Sequence, residues 1–398
     1  MNLTRTLCLA LAGWTFAGCS EGSSPSVEGR TSSSLTAGPD IQLRTPLQRG
    51  LDTIHSGGVV GVVARVSDGE DHIDARSGQA RRGSAEPVPF ESQFRMGSNT
   101  KTFVAVVILQ LVDEGKVRLE DTVDRWLPSV VSGHGNDGKK ITIRHLLQHT
   151  SGLYNYTRDI LSDFTEKDYY VKRFHRISPE KLVATAIAHE PNFAPGAGWS
   201  YSNTNYTLAG MIIEKATGHD WSTEVRTRIL EPLQMVHTFE PGDWPGLPAP
   251  HLQGYNEFAA GKPLVDVTLF NMSWGGAAGS LITTTADLTR FWRALQSGEL
   301  LSPARMAEMH DTVPATELQS VFPGLRDGLG IFWTQTKCGG YWHHPGDTFG
   351  FSTRNAVDEE GTRAITFSEN TTSDVPETSV ARIKADLQLL EDVMCAGR

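Results

Sequence analysis

Residues 94–115 read FRMGSNTKTFVAVVILQLVDEG, and how this stretch is understood decides how the rest of the 398-residue chain is read. From Phe103 to Leu111 the residues are apolar nearly all round, which marks a helix buried at the centre of a protein rather than one on its surface. Just ahead of that run stand Ser98 and Lys101, three apart and so on one face of a helix. A serine at a helix start has an ordinary use, capping the free N–H groups of the first turn. The lysine has none. Desolvated in the first turn of a buried helix, its ammonium is disfavoured, its pKa falls, and the neutral amine can take a proton from a neighbouring hydroxyl. Ser98 also lies at the positive end of the helix dipole. The plain alternative is a capping serine beside a lysine that snorkels to solvent, and S-x-x-K alone does not decide between the two.

Further helical patterns follow in "TIRHLLQHTSG", "SPEKLVATAIAHE", "NTNYTLAGMIIEKATG", "TEVRTRILEPL" and "TTADLTRFWRALQSG". Several carry Ser or Thr in front and Gly just past the end, as at Gly115, Gly152, Gly218 and Gly298. On the N-terminal side, "GVVGVVARV" (58–66) and "HIDARSG" (72–78) flank the turn "SDGED" and read as a hairpin. Near the C-terminus "GYWHHPG", "GFSTRNAVDEEG" and "RAITFSEN" read as three short strands, and Thr378 to Met394 as an amphipathic closing helix. The simplest assembly is an α/β fold in which both ends of the chain share one antiparallel sheet flanked by helices. A single domain is expected over 41–395, its α/β part at roughly 41–116 and 285–395 and an all-helical subdomain inserted at roughly 117–284.

The composition, 39% apolar and 21% charged, is that of a globular chain. A net charge of -10 without any acidic block argues against a nucleic-acid groove or an anionic membrane surface as the main partner. The first residues, MNLTRTLCLALAGWTFAGCSEGSS, read as an export signal over 1–19 followed by a Ser/Gly/Pro-rich tether over 20–40. "FAGC" resembles the bacterial lipobox, with Phe16 where leucine is commoner, so a lipid on Cys19 is the one membrane contact expected. The protein would then be periplasmic, anchored at the envelope or secreted. Beyond this leader only Cys338 and Cys395 remain, and in an oxidising compartment they either pair or stay as buried thiols.

Two later motifs narrow the chemistry. "GWSYSNTNY" places Tyr201, Ser202 and Asn203 just before a helix, and "WHHPGDTFGF" places His344 and Gly346 on a strand, with glycine where something approaches the backbone closely. The order S-x-x-K, Y-x-N, H-x-G is far more specific than any one of the three. Other signals point nowhere: His149 in "LLQHTSGL" reads as a buried structural histidine, and adjacent His343 and His344 face opposite ways on a strand, so no metal is expected. There is no G-x-S-x-G elbow, and nothing calls for a cofactor.

At this point the chain resembles the serine β-lactamase-like, penicillin-recognising hydrolases: class C β-lactamases, D-Ala-D-Ala carboxypeptidases and related esterases and D-aminopeptidases. It is most similar to the secreted actinomycete-type carboxypeptidases. The resemblance runs from about Leu43 to Cys395 through "FRMGSNTKTF", "LQLVDEGKVRLEDTVDRWLP", "ITIRHLLQHTSGLYNYT", "APGAGWSYSNTNYTLAGMIIEKATGH" and "SWGGAAGSLITTTADL". It implies a β-lactamase/transpeptidase-like fold and a hydrolase in which Ser98 is acylated while Lys101 and Tyr201 share proton transfer. Asn203 would bind the substrate amide, His344 and Trp274 would line the cleft, and the N–H groups of Ser98 and Asp347 would form the oxyanion hole beside Gly346. It also implies a Cys338–Cys395 disulfide.

The chain departs from that pattern where carboxypeptidase relatives hold the substrate's free carboxylate. Phe332 stands nearest the expected arginine, and "HPGDT" offers Pro345 and Asp347 in place of hydroxyls. Asp347 would repel a carboxylate unless Lys337 or a nearby arginine compensates, so a neutral or cationic substrate end fits at least as well. The leading expectation is a monomeric carboxypeptidase-like or penicillin-binding serine hydrolase acting on a small peptide, amide or ester, peptidoglycan stem peptides included. The rivals are an esterase or D-aminopeptidase, a class C type β-lactamase, and a β-lactam sensor that is acylated once without turnover.

Overall fold

The computed structural model describes residues 39–161 and 163–398, so the expected leader, the lipid site at Cys19 and nearly all of the tether lie outside the described residues. The chain opens with helix α1 (Pro39–Ser56), followed by the expected hairpin, β1 (Gly61–Asp68) and β2 (Asp71–Gly78), paired from Gly61 with Gly78 to Asp68 with Asp71. The apolar run becomes α2 (Thr100–Asp113), and "NTNYTLAGMIIEKATG" becomes α3 (Asn203–Thr217), ended by Gly218 in the left-handed conformation. Residues 285–296 form α4 (Thr285–Gln296), its first turn capped by the Thr284 hydroxyl. The C-terminal strands are β3 (Phe332–Thr336), β4 (Gly339–His343), β5 (Gly346–Thr348), β6 (Phe351–Val357) and β7 (Arg363–Glu369), and α5 (Pro376–Met394) closes the chain.

These strands form one antiparallel sheet in the order β2-β1-β7-β6-β4-β3, extended by two-residue strands at Arg326–Asp327 and Val313–Pro314. Pairing of β1 with β7, from Val62 with Glu369 to Asp68 with Arg363, joins the two ends of the chain. Side chains alternate across the sheet. Val62, Ala64, Val66, Ile365 and Phe367 pack under α1 and α5, whereas Val63, Val357 and Ala364 pack against the opposite core with Phe103 and Phe291. That second core runs without a break from α2 through Leu208 and Ile212 of α3. The inserted segment is therefore packed into the same body as the sheet.

Two features differ from the sequence reading. α1 was not anticipated, although Leu43, Leu47, Leu51 and Ile54 recur at helical spacing and are all buried. The inserted segment is also not wholly helical: it holds short strands at Tyr255–Glu257 and Val265–Asp266, the first paired in parallel with Thr371–Ser373. Cys338 and Cys395 are joined across the β3–β4 turn and the end of α5, their Cα atoms 5.5 Å apart. No helix among the described residues is long and apolar enough to cross a membrane.

Candidate active site

Ser98 lies in a tight 3-10 turn, Gly97–Asn99, that runs directly into α2. Lys101, in the first turn of that helix, is fully buried. Its Nζ is 2.9 Å from Ser98 Oγ, 2.7 Å from Asn203 Oδ1 and 2.6 Å from the Ala278 carbonyl oxygen. Burial pushes the lysine pKa well below its ordinary value. The three contacts suit a neutral amine. Its two N–H groups donate to the two carbonyl oxygens, which can only accept, and its lone pair is left facing the Ser98 hydroxyl.

Asn203 opens α3, where Asn155 Oδ1 accepts its backbone N–H at 3.2 Å and its side-chain amide at 3.4 Å. Two residues earlier, the Tyr201 hydroxyl lies beside Ser98, and Lys101 Nζ lies 4.9 Å from the centre of the tyrosine ring. Burial raises the Tyr201 pKa, with the Ser98 side chain working against it, so the phenol keeps its proton at neutral pH. The His149 ring packs 4.3 Å from that of Tyr201. Its Nδ1 accepts the Ser202 N–H at 3.2 Å, and burial keeps the imidazole neutral.

On the other side of Ser98 lies β5. It joins β6 through a connection of only two residues, Phe349 and Gly350, with Thr348 opposite Phe351, Asp347 opposite Ser352 and Gly346 opposite Thr353. The closing pair of such a hairpin exchanges both ladder bonds, and hydrogen-bonded and open pairs then alternate. In this register the Asp347 N–H and C=O therefore turn away from β6, out of the sheet edge and toward the Ser98 turn. The approach is close. A Cβ built on Gly97, whose φ is +55°, would lie 2.8 Å from the Asp347 nitrogen, and one built on Gly346 would lie 1.9 Å from the Met96 carbonyl oxygen. A side chain at either glycine would push the two elements apart.

The strand is broken between β4 and β5 by Pro345, which has no N–H to give a ladder. The side chain of Asn355 on β6 fills the break: its Oδ1 accepts the His344 N–H at 3.0 Å, and its amide donates to the His344 carbonyl at 2.9 Å and to Asn99 Oδ1. One amide thus ties the strand to the nucleophile turn. His344 is buried, and that burial holds its imidazole neutral; its ring lies 4.9 Å from that of Phe332. Phe332 belongs to an apolar wall with Trp199, Leu325 and the flank of Tyr201. Arg326, on the neighbouring strand, turns onto the Thr312 hydroxyl and carbonyl, both at 2.7 Å. Lys337 pairs with Glu391 at 3.8 Å, beside the disulfide.

Asp347 points the other way from His344, onto the α5 face of the sheet. One of its oxygens, Oδ1, accepts from Arg354 at 3.0 Å and from Ser352 at 2.7 Å. The arginine that the sequence reading asked for is therefore Arg354 and not Lys337. Asp347 lines a groove of about 420 Å³ walled by Trp274, Phe164 and Phe349 and ended by Glu369 and Arg382. Trp274 is held by packing on Phe270, and its backbone carbonyl accepts the Tyr156 hydroxyl at 2.7 Å. Ser98, Lys101, Tyr201, Asn203, Gly346 and the Asp347 backbone thus meet around one point, with His344 on one flank and Trp274 and the Asp347 carboxylate on the other. Among the described residues no three His, Cys, Asp or Glu side chains come together as a metal site would need.

Asn155, Asn355 and Arg354 were not singled out from the sequence. Asn155 stands inside the quoted "HTSGLYNYT", but a lone asparagine in a loop carries no spacing signal. Asn355 and Arg354 sit at the centre of the strand FSTRNAV, buried at every position, and polar residues at a strand centre were the available clue.

Residues 43–389 match the family model described as Beta-lactamase. Among solved structures, a D-stereospecific amidohydrolase from Streptomyces sp. is 39% identical, covers 82% of this chain and 94% of its own, and superposes with a TM-score of 0.77. The D-amino acid amidase of Ochrobactrum anthropi SV3 is 29% identical over 88% of this chain and 98% of its own, with a TM-score of 0.76. Penicillin-binding protein 4* of Bacillus subtilis is 33% identical over 181 residues, 45% of this chain. That match spans only 37% of the relative's length, as does the match to protein flp of Staphylococcus aureus. With the family model covering most of the chain and the antiparallel sheet and helices arranged as in these neighbours, the chain belongs to the Beta-lactamase family of serine hydrolases and has its β-lactamase/transpeptidase-like fold.

Proposed function

We propose that this protein is a serine amidohydrolase that cleaves amides of D-amino acids carrying a free α-ammonium, through an acyl-enzyme on Ser98. The observation that carries this reading is the placement of charge around the nucleophile. On the His344 side the wall is the apolar ring of Phe332, and the cations on and beside the adjoining strands, Arg326 and Lys337, are turned onto other partners. On the Trp274 side stands the Asp347 carboxylate, its side chain 59% exposed, and both of its hydrogen bonds fall on Oδ1. Such a cleft suits an ammonium on the acyl side and an uncharged leaving group, and is poorly made for a terminal carboxylate. The D-configuration is supported by similarity to the Streptomyces amidohydrolase and the Ochrobactrum amidase.

In this reading Ser98 Oγ attacks the amide carbon as Lys101 Nζ takes its proton. The oxygen that becomes negative is met by the N–H groups of Ser98 and Asp347, each such donor contributing about 3 kcal/mol of transition-state stabilisation. The proton passes to the leaving amine through Lys101 and the Tyr201 hydroxyl, and water then releases the acyl group by the reverse relay. Asn203 holds Lys101 and faces the substrate amide.

The test is turnover of D-phenylalanine amide, L-phenylalanine amide and N-acetyl-D-Ala-D-Ala by the wild type and by Ser98→Ala. The expected order is D-amide first, by about 100-fold over the other two, with the serine variant inactive. A preference for the acetylated dipeptide would restore the carboxypeptidase reading; residual activity of Ser98→Ala within tenfold of wild type would remove Ser98 as nucleophile. Export, cleavage or lipidation near Cys19, and a Cys338–Cys395 disulfide in the cell belong to the same proposal. The mass of the mature protein, with and without thiol alkylation, tests them.

A further inference from the structure

Asp347 poses a problem for the reaction just described. Its backbone N–H stabilises a developing negative charge, yet its own side chain carries one within the same residue. A carboxylate so near an oxyanion raises the barrier unless it is neutralised. The structure holds a buried chain of charges that sets a cation against it. Arg354 Nη1 donates to Asp347 Oδ1 at 3.0 Å and to the Thr353 carbonyl at 3.2 Å, while its Nε donates to Asp386 Oδ2 on α5 at 3.1 Å. The Arg354 side chain is 8% exposed and that of Asp386 1%, so neither is screened by water. Next to them lies Glu369, fully buried, for which none of the surrounding groups supplies a donor. Its neighbour is the Asp386 carboxyl, with which it can bond only by keeping a proton. Burial and the Asp386 charge both push Glu369 that way, with Arg354 and Arg382 working against them.

With that proton in place the four groups sum to one negative charge, and the only member open to solvent is Asp347. We propose that Arg354 is a positioning residue for the reaction: through Oδ1 it pins the Asp347 carboxylate to the α5 face and offsets its charge at the oxyanion hole, leaving Oδ2 for the substrate. This rests on the reading of Ser98 and the Asp347 N–H given above but not on the D-aminoacyl substrate. The device is needed because an acid occupies the position after the H-x-G glycine.

The test is a double-mutant cycle on the full chain, with D-phenylalanine amide and p-nitrophenyl acetate as acyl donors and thermal melting as the control for folding. Arg354→Met is expected to lower kcat on both donors about 30-fold while KM on the ester changes less than threefold. Adding Asp347→Asn should bring kcat back to within about threefold of the Asp347→Asn single variant, because the charge to be offset is gone. A merely structural arginine predicts the opposite: the double variant stays as slow as Arg354→Met, and that outcome overturns the proposal. If Arg354→Met does not fold, Arg354→Lys serves, with a smaller loss and the same rescue expected; no loss, or a loss without rescue, counts against the idea. Should the amide be inert and the ester accepted, the substrate reading fails and the cycle on the ester still decides Arg354. No release of nitrophenolate by the wild type overturns both.

Discussion

In the proposed mechanism Lys101 is the residue on which the chemistry turns, because a fully buried amine with two fixed acceptors has its lone pair aimed at one hydroxyl. Lys101→Ala is expected to slow acylation of Ser98 by about 1,000-fold, measured as the burst of nitrophenolate; a change in KM alone would contradict a proton-transfer role. Since the working form is the neutral amine, kcat/KM should rise as pH passes the lowered pKa of Lys101 and level off well below the ordinary lysine range. His344 is held neutral by burial, so His344→Gln should leave the position of that limb unchanged. Ser98, Lys101 and Tyr201 were legible in the sequence because their spacing is fixed by a helix turn and a helix start. Asn355, Asn155 and Arg354 were not, because their partners lie on other elements 256, 48 and 32 residues away. Such contacts leave no local period to read.

At the scale of elements, the position of α2 rests on stacking of Phe103 against Phe291 of α4, ring centres 3.7 Å apart. Phe103→Ala is expected to cost about 3–5 kcal/mol of stability, read by chemical denaturation, and to loosen the turn that carries Ser98. His310 stacks on Trp342 of β4 at 3.7 Å, and burial lowers its pKa to about 4. A histidine depressed in the fold costs nothing above its unfolded pKa, near 6.5, and weakens the fold as pH falls from there to about 4. The loss is on the order of 3 kcal/mol by pH 4, and the gap in melting temperature between pH 7 and pH 4 should be smaller in His310→Phe. The strong elements were legible because each carries its own period and stop signals. α1 was missed because Pro46 and Gly50 interrupt its pattern, yet Gly50 is what lets the helix close on α5: a Cβ there would lie 2.5 Å from Leu389 Cδ1.

For the molecule as a whole, the two ends of the chain meet on one face. α1 and α5 share a core with Val62, Ile365 and Phe367, and the Cys338–Cys395 link fastens the end of α5 to the β3–β4 turn. If that disulfide forms in the mature protein, reduction should remove about 4 kcal/mol on the chain-entropy model for its separation of 57 residues, seen as a lower midpoint in denaturant with activity retained in the folded state. The continuous core on the α2 face of the sheet follows from the sequence pattern of the buried helices, whereas the small sheet at Tyr255–Glu257 is made of strands too short to announce themselves.

The connection between β5 and β6 is two residues long, and that length has a meaning beyond joining strands. It sets the parity of the hairpin, and parity decides whether the Asp347 amide looks outward into the cleft or inward at its neighbour. One residue added between Phe349 and Gly350 would leave Ser98, Lys101 and Tyr201 in the gene and yet turn the amide of the proposed oxyanion hole away from them. In the proposed mechanism a turn's count of residues is as much a part of the catalyst as the serine it serves.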